Sequence, residues 1–363
     1  MGILEKIAEI EREMSRTQKN KATEYHLGLL KGKLARLRAE LIEVKSSGPK
    51  GEGFDVKRSG DARVALIGFP SVGKSTLLST ITDTEAAVSN IDFTTLQATP
   101  GRWEYNGAVI QLLDLPGIIE GAAQGIGRGK QVVSTARTAD VILMMLDATK
   151  SHLQRPLLEK ELEAVAIRLN KKRPNIYLKI KTGGGISYTA TCKQSVLTEK
   201  FVYNLLHQYR IFNAEILVRE DVTIDDFIDV VVGNRIYLPC LYVYNKIDAI
   251  TIEEVDRIAR EDHTIVVSVE QDLNMEMLKQ KVWEYLSFLR VYTKRHSEYP
   301  DFSEGLILRQ GATVEDACRA IHKSLLDNFK YALVWGRSAK HNPQRVGITH
   351  ELSDDDVVEI VRK

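Results

Sequence analysis

Cysteine is scarce in this chain. Only three cysteines occur among 363 residues, Cys192, Cys240 and Cys318, and none of them belongs to a CxxC pair. Widely separated single cysteines argue against a disulfide framework and against a zinc site. The cysteine content therefore favours a location in the reducing cytoplasm.

Long apolar runs and lipid-attachment signals are also missing. No apolar stretch approaches the roughly 20 residues that a membrane-spanning helix needs, and the opening residues MGILEK lack the apolar core of a secretory signal. Lys6 stands where a myristoylation motif requires Ser or Thr, and Val361–Lys363 forms no prenylation box. We therefore expect no membrane attachment.

Charge of one sign does not dominate the chain. Fifty basic residues stand against 49 acidic ones, which leaves a formal net charge of +1. Attraction to nucleic acid must then come from a local patch. One candidate patch lies in residues 16–38, where Glu24 is the single acid among these basic residues: Arg16, Lys19, Lys21, Lys31, Lys33, Arg36 and Arg38. This basic face either contacts phosphates or is ordinary solvated surface, and composition does not separate the two.

Apolar residues near the N-terminus recur at helical spacing. One stripe runs from Ile3 to Met14, and a second runs from Leu27 to Val44, with a break around Thr17 to Tyr25. We predict two helices that form a hairpin over residues 1–48. Residues 46–53 are rich in Gly and Ser, which is typical of a linker.

Beyond the linker, short β-branched apolar runs alternate with helical patterns. This alternation predicts a doubly wound, parallel α/β sheet. Five runs are the predicted strands: Val64–Ile67, Val109–Leu113, Val141–Leu146, Leu241–Tyr244 and Ile265–Val267.

The interval between the third and fourth predicted strands is too long for one crossover helix. A helix over Gln154–Asn170 accounts for part of it, and residues 171–235 read as an inserted α+β domain. Within the insert we predict strands at Ile176–Ile180 and Ile228–Val232, and a helix around Phe201–Tyr209. Gly183–Gly185 is predicted to be a hairpin turn rather than a phosphate loop, because no strand-then-helix pattern surrounds it.

The pattern changes again from about Val291. We predict a strand at Leu306–Arg309, a helix that Thr313 and Asp316 open as a capping box, and a strand at Tyr331–Trp335. These elements predict a compact C-terminal domain of mixed α and β structure.

The segment Gly68–Ser75, GFPSVGKS, fits the phosphate-binding pattern G-x-x-x-x-G-K-[ST]. It follows one predicted strand and precedes a helix predicted over Thr76–Ile81, which is the context that the pattern requires. Glycines let backbone N–H groups close around phosphates, Lys74 reaches the β and γ oxygens, and the Ser75 hydroxyl coordinates Mg²⁺. The predicted phosphate site comprises Gly68, Pro70, Ser71, Val72, Gly73, Lys74, Ser75 and Thr76.

Two further segments complete the predicted phosphate and metal site. Asp114–Gly117, DLPG, follows a predicted strand, where the aspartate holds Mg²⁺ through water and the Gly117 amide senses the γ-phosphate. Thr95 lies where a switch threonine binds Mg²⁺ and, by its backbone, the γ-phosphate. Lys74, Thr95 and Gly117 are therefore the predicted catalytic residues. The predicted metal ligands are Ser75, Thr95 and, through water, Asp114.

Asn245–Asp248, NKID, identifies the base. The Asp248 carboxylate can accept hydrogen bonds from N1–H and N2–H₂ of guanine, and adenine offers no such pair of donors. The nucleotide is therefore predicted to be GTP, contacted by Asn245, Lys246 and Asp248. A backbone turn at Ser268–Val269, after the last predicted strand, is expected to contact the guanine carbonyl.

The order GFPSVGKS, FTTL, DLPGIIEGA and NKID, with the glycine-rich stretch Gly121–Gly129, resembles the Obg-like GTPases. The whole layout resembles the developmentally regulated GTP-binding protein family. This resemblance implies a C-terminal TGS domain of β-grasp type and an insert similar to ribosomal protein S5. It also implies association with the ribosome or rRNA, and a dedicated stabilising protein partner with an RWD or zinc-finger region.

The predicted domain order follows from the patterns and the resemblance together. It comprises a helical hairpin (1–48), the first part of the GTPase domain (61–170), the S5-like insert (171–235), the second part of the GTPase domain (236–290) and the TGS domain (291–363).

Ile118 stands where Ras-like enzymes carry a glutamine that orients the attacking water. An isoleucine side chain neither donates nor accepts a hydrogen bond, so we expect slow hydrolysis. Related enzymes with such a substitution use a potassium ion, held partly by an asparagine of the phosphate loop. This chain has Ser71 at that position, a departure that leaves potassium activation open.

Three functions are considered from the sequence. The first is a GTP-hydrolysing switch in translation, whose states differ in the order of the segments around Thr95 and Gly117–Gly129. The second is a GTP-dependent scaffold with little turnover, which multiple-turnover measurements with and without potassium and a partner would separate from the first. A membrane-trafficking GTPase is disfavoured by the missing lipidation motifs.

Overall fold

The computed structural model describes residues 2–18, 20, 23–44, 59–82, 99–115, 136–322 and 324–362. The predicted linker, Thr95 and the segment Gly117–Gly129 lie outside the described residues. The chain divides into two compact units, the first drawn from residues 1–55, 118–137 and 155–238, and the second from 56–117, 138–154 and 239–363. The domain boundaries given above stay predictions.

A six-stranded sheet forms the centre of the second unit. Its strand order is β11-β10-β4-β1-β3-β2, and every neighbouring pair is parallel except β3 and β2. Every residue of β1, β4 and β10 is buried, as expected for strands whose two faces are both covered. The strands are β1 Ala62–Gly68, β2 Thr99–Tyr105, β3 Ala108–Asp114, β4 Val141–Asp147, β10 Cys240–Asn245 and β11 Thr264–Val266.

The five predicted strands of this sheet are confirmed, and the sixth strand was missed. β2 has the sequence TPGRWEY, in which Pro, Gly and two charges interrupt any apolar alternation. It lies at the edge of the sheet, where proline is tolerated because one side of the strand has no ladder partner. The helices that accompany these strands along the chain are α3 Lys74–Ile81, α7 Ile252–Ala259 and α8 Met275–Leu286.

The C-terminal part of the second unit is a separate five-stranded sheet with the order β13-β12-β16-β14-β15. Its apolar core includes Val291, Val314, Cys318 and Val334. The predicted capping box is confirmed, because the Thr313 N–H donates to Asp316 Oδ2 at 2.9 Å at the start of α9. The elements are β12 Phe288–Thr293, β13 Asp301–Arg309, α9 Val314–Ile321, α10 Ser324–Asp327, β14 Phe329–Trp335, β15 Gln344–Val346 and β16 Asp356–Arg362.

The first unit combines the helical hairpin with the insert. A three-stranded sheet with the order β6-β8-β7 packs one face against α5 and α6. The elements are α1 Ile3–Arg16, α2 Glu24–Val44, β5 Ile167–Leu169, β6 Ile176–Ile180, β7 Ile186–Ala190, α5 Glu199–Gln208, β8 Ala214–Val218, α6 Ile224–Val232 and β9 Ile236–Leu238. The helix α4, Ser151–Ala164, includes residues of both units.

Three predictions for the interval between the third and fourth predicted strands are wrong. Ile228–Val232 belongs to α6 rather than to a strand, because Thr223 and Asp226 form a capping box and Gly233 ends the helix in a left-handed conformation. The helix predicted over Gln154–Asn170 ends at Ala164, and β5 follows and pairs with β9. Gly183–Gly185 links β6 to β7, but these strands flank β8 and so form no hairpin.

Two glycines allow α2 to lie close against the insert helix α5. A Cβ atom on Gly28 would come within 2.8 Å of the Phe201 ring, and one on Gly32 within 2.4 Å of Leu205 Cδ1. Glycine within a helix costs roughly 1 kcal/mol relative to alanine. Here the missing side chains permit a close contact, and a larger residue at either position would force the Phe201 or Leu205 side chain to move.

Three of the five residues of the basic face that the structure describes form ion pairs within the first unit. Lys31 Nζ lies 2.6 Å from Asp225, and Arg38 lies 2.8 Å from Glu11. Arg36 pairs with Glu40 and also donates to the backbone oxygen of Gln208. Lys33 is exposed and forms no ion pair with the described residues.

Candidate nucleotide-binding site

The phosphate loop lies between β1 and α3, as the motif predicts. Ser71 and Gly73 have φ values of 62° and 97°, so both adopt left-handed conformations. A Cβ atom on Gly73 would lie 2.3 Å from Asn245 Nδ2, and one on Gly68 would lie 2.4 Å from the Met145 oxygen. Backbone conformation and close approach therefore both require glycine at residue 73.

The Lys74 ammonium folds back over this loop. Its Nζ donates to the backbone oxygens of Gly68 at 2.9 Å and Phe69 at 2.8 Å. Burial lowers the pKa of Lys74, and the nearby Asp114 carboxylate acts in the opposite direction. The ammonium is thus held at the loop itself, where a bound phosphate oxygen could replace a carbonyl as its partner.

Asp114, the last residue of β3, faces the first turn of α3. Ser75 Oγ donates to Asp114 Oδ2 at 2.8 Å. The second carboxylate oxygen, Oδ1, is buried and has no hydrogen-bond partner among the described residues. Burial raises the pKa of Asp114, against the opposing effects of the Ser75 hydroxyl and of Lys74. A buried oxygen without a partner, beside a serine hydroxyl, fits the hard oxygen ligands that Mg²⁺ prefers.

Asn245 connects the phosphate loop to the loop after β11. Its Nδ2 donates to the Val72 oxygen at 2.9 Å, and its Oδ1 accepts from the Val269 N–H at 3.0 Å. The residue is only 5% exposed. Its side chain therefore links two loops that come from distant parts of the sequence.

Asp248 and Ser268 are in direct contact. Ser268 Oγ donates to Asp248 Oδ1 at 2.6 Å, while the Asp248 residue is exposed. Ser268 is buried and also exchanges two backbone hydrogen bonds with Leu273. The side chain of Ser268 thus has a structural contact that we did not predict, since only its backbone was expected to act.

A third carboxylate at this edge of the sheet was missed in the sequence. Asp147 ends β4 and lies opposite Asn245 in the strand register. Its Oδ2 is 2.8 Å from Lys246 Nζ, so the lysine of the NKID motif is in an ion pair. A carboxylate at the carboxyl end of a buried strand was the available signal, because the carboxyl ends of parallel strands meet at one edge.

The structure brings together most of the predicted site. The phosphate-loop residues, Asp114, Asn245, Lys246, Asp248, Ser268 and Val269 all belong to the second unit. Pro70 and Thr76 are exposed in and after the loop. Thr95 and Gly117 lie outside the described residues, as does Ile118. No group of three or more His, Cys, Asp or Glu residues suited to a metal occurs in the described part of the chain.

Three features define a P-loop GTPase: a phosphate loop after a buried strand, an aspartate at the end of the neighbouring strand, and an NKID turn nearby. Comparisons with protein families agree. The model described as 50S ribosome-binding GTPase matches residues 63–180, the model of its C-terminal region matches 183–288, and the TGS domain model matches 289–362.

Full-length relatives identify the family. Developmentally-regulated GTP-binding protein 2 of Homo sapiens is 63% identical over 364 residues, which cover 100% of both chains. GTP-binding protein 1 of Schizosaccharomyces pombe is 62% identical with the same coverage, and Developmentally-regulated G-protein 2 of Arabidopsis thaliana is 55% identical over 100% of this chain and 92% of its own. The chain belongs to the developmentally regulated GTP-binding protein family.

Proposed function

We propose that this protein binds GTP, hydrolyses it slowly to GDP and phosphate, and acts as a ribosome-associated switch in translation. The observation that carries the proposal is the Asp248 carboxylate, which is exposed and is oriented by the Ser268 hydroxyl at 2.6 Å. A carboxylate oxygen has two lone pairs, so this bond leaves capacity for both guanine donors. The base site comprises Asn245, Lys246, Asp248, Ser268 and Val269.

The phosphates occupy the loop Gly68–Thr76 in this proposal. The Lys74 ammonium exchanges its bonds with the loop carbonyls for bonds with the β and γ oxygens. Backbone N–H groups at the start of α3 supply further donors, and the helix terminus favours negative charge. The Asn245 side chain holds this loop beside the base site through its bond to the Val72 oxygen.

Ser75 and Asp114 are the described residues that would hold Mg²⁺, with Asp114 acting through water and Thr95 as the further ligand. The unpartnered Asp114 Oδ1 supports this assignment. A bound Mg²⁺ would neutralise charge on the β- and γ-phosphates.

Hydrolysis is expected to depend on Lys74, Thr95 and Gly117. Lys74 stabilises charge that develops on the transferred phosphoryl group, and the backbones of the other two residues position the water and the γ-phosphate. Ile118 cannot orient water, so turnover should be slow without a further cation. Potassium or a group from a partner protein is the proposed source of that charge.

The ribosomal part of the proposal is supported by the description of the matching family model and by the C-terminal TGS domain. The ribosome or rRNA is the proposed partner, together with a stabilising protein of RWD or zinc-finger type in the cytoplasm. Among the described residues, no helix is both long and apolar enough to cross a membrane.

Binding of GTP, ATP and XTP to wild type and to Asp248→Asn tests the base assignment. Two hydrogen bonds to a charged group contribute about 1.5–3 kcal/mol each, so the variant should lose at least roughly 100-fold in GTP affinity. It should gain affinity for XTP, because the amide presents a donor where xanthine has a carbonyl.

Asp256→Asn is the matched control, because Asp256 is an exposed carboxylate of α7 that pairs with Arg260. This control should bind GTP as wild type does. Unchanged GTP affinity in Asp248→Asn would show that Asp248 does not read the base.

Turnover separates the switch from the scaffold. Phosphate release should continue through many cycles and should increase with potassium or with the partner protein. A single cycle under all these conditions would favour the scaffold instead.

A further inference from the structure

Asp147 is a buried carboxylate whose two oxygens both accept hydrogen bonds. Its Oδ1 accepts from the Thr149 N–H at 3.0 Å and from the Thr149 hydroxyl at 2.6 Å, and its Oδ2 accepts from Lys246 Nζ at 2.8 Å. Its own N–H donates to Gln154 Oε1 at 2.9 Å. The side chain is 8% exposed, whereas that of Lys246 is 40% exposed. The aspartate is therefore held in place by its other partners, and its ion pair restrains the more exposed lysine side chain.

The charge state of Asp147 suits an ion pair. Burial acts to raise its pKa, but the hydrogen bonds from Lys246 and Thr149 outweigh burial and hold the pKa below the ordinary value. The carboxylate is therefore ionised at neutral pH and attracts the ammonium group across the ends of β4 and β10.

Lys246 has a backbone conformation that requires support. Its φ and ψ are 66° and 41°, in the left-handed region, which a non-glycine residue keeps only when the surrounding structure supports it. This residue lies directly after Asn245, which holds the phosphate loop, and two residues before Asp248. Any change in the Lys246 conformation would therefore redirect the carboxylate that faces the base.

We propose that Asp147 is a positioning residue for guanine recognition, which acts by fixing Lys246 and through it the turn Asn245–Asp248. This inference rests on the proposed function, because it assumes that Asp248 reads guanine. Asp147 itself need not touch the nucleotide. Its role is to hold the left-handed turn so that Asp248 meets both guanine donors at once.

Asp147→Asn tests the proposal, because it keeps the shape and the acceptor for Thr149 but sets an amide donor against the Lys246 ammonium. ITP lacks the 2-amino group of GTP, so the ratio of GTP to ITP affinity measures how well Asp248 is aligned. We expect GTP affinity to fall about tenfold and the GTP:ITP ratio about fivefold, since a misaligned acceptor loses the second hydrogen bond first. At saturating GTP, turnover should stay within about twofold of wild type because the phosphate end is unchanged.

Glu359→Gln is the matched control for loss of a buried ion pair. Glu359 is 4% exposed and pairs with Lys294 at 2.9 Å in the C-terminal sheet. This variant should lose thermal stability to a similar degree and keep the wild-type GTP:ITP ratio.

A double-mutant cycle with Lys246→Met shows whether Asp147 acts through Lys246. If it does, Asp147→Asn should add little to the GTP:ITP loss already caused by Lys246→Met. An equal effect of Asp147→Asn in both backgrounds would overturn the proposal, as would a wild-type ratio in Asp147→Asn. If Asp147→Asn does not fold, Lys246→Met keeps the proposal falsifiable, because an unchanged GTP:ITP ratio in that variant would also overturn it.

Wild type provides the reference for the proposed function itself. If wild type shows no preference for GTP over ITP and ATP, the guanine assignment is wrong. If wild type shows the preference and Asp147→Asn retains it, only the role of Asp147 is wrong.

Discussion

Replacing Asn245 by alanine tests whether the base and phosphate loops are joined before nucleotide binds. The Asn245 side chain donates to the Val72 oxygen and accepts from the Val269 N–H, and all three residues are at most 5% exposed. Asn245→Ala therefore leaves one backbone acceptor and one backbone donor without partners. Water has little access to either group.

The size of the effect follows from these two orphaned groups. An unsatisfied buried polar group costs about 1–3 kcal/mol, so two would cost about 2–6 kcal/mol. Removing the amide leaves a small polar space, and a water molecule that enters it would recover part of this loss. We expect the free energy of unfolding of the second unit to fall by about 2–4 kcal/mol. The loss should appear even without nucleotide, because both hydrogen bonds join groups of the protein itself.

Urea denaturation followed by tryptophan fluorescence measures this change selectively. The three tryptophans, Trp103, Trp283 and Trp335, all belong to the second unit, so the first unit contributes no tryptophan signal. With a urea slope of about 2 kcal/mol per molar, the midpoint should fall by roughly 1–2 M. GTP affinity should fall as well, because the phosphate loop loses its link to Asn245.

Asn245→Asp provides the companion measurement. It keeps the acceptor for the Val269 N–H but sets a carboxylate oxygen against the Val72 carbonyl, so it should also destabilise the nucleotide-free protein. If both variants lose GTP affinity while their midpoints stay within about 0.2 M of wild type, Asn245 acts on nucleotide alone and the reasoning is refuted.

Three further predictions concern the metal site, the hairpin and hydrolysis. Because burial raises the pKa of Asp114, the folded state holds its proton to higher pH than the unfolded state does. Without nucleotide, the free energy of unfolding should then fall as pH rises from the ordinary pKa of an aspartate toward the raised pKa of Asp114. Asp114→Asn should abolish this pH dependence of unfolding, and it should weaken Mg²⁺-dependent GTP binding. Lys33→Glu should reduce co-sedimentation with ribosomes and lower the slope of log affinity against log salt concentration by about one, without destabilising the hairpin. Salt curves identical to wild type would show that Lys33 is ordinary solvated surface. Ile118→Ala should change kcat only modestly, and potassium should raise kcat more than it changes GTP affinity; loss of hydrolysis in folded Ile118→Ala would contradict this.

Local patterns predicted much of the fold correctly. β1, β4 and β10 are buried on both faces, so their continuous apolar runs identify them without reference to the rest of the chain. The capping box of α9 is also a local pattern, because its two residues, Thr313 and Asp316, are only three positions apart. These signals are reliable when the residues that stabilise an element belong to the element itself.

The errors arise where two local signals compete or where the partner is remote. Ile228–Val232 is β-branched and apolar, but the cap at Thr223 and the stop at Gly233 define a helix around it. β2 carries no apolar alternation and forms by pairing with β3 at the sheet edge. β5 has only three residues and depends on β9, which lies more than sixty positions further along the chain.

The sequence alone determined the phosphate loop, the NKID turn and their order along the chain, since each motif is a short segment whose residues act together. Only the tertiary structure decided which distant residues meet. Lys246 pairs with Asp147 across 99 positions, Asn245 holds Val72 across 173, and Asp225 neutralises Lys31 across 194. Such pairs depend on strand order, register and helix packing. A single sequence carries no local pattern for them, because each partner would look the same if the other lay elsewhere.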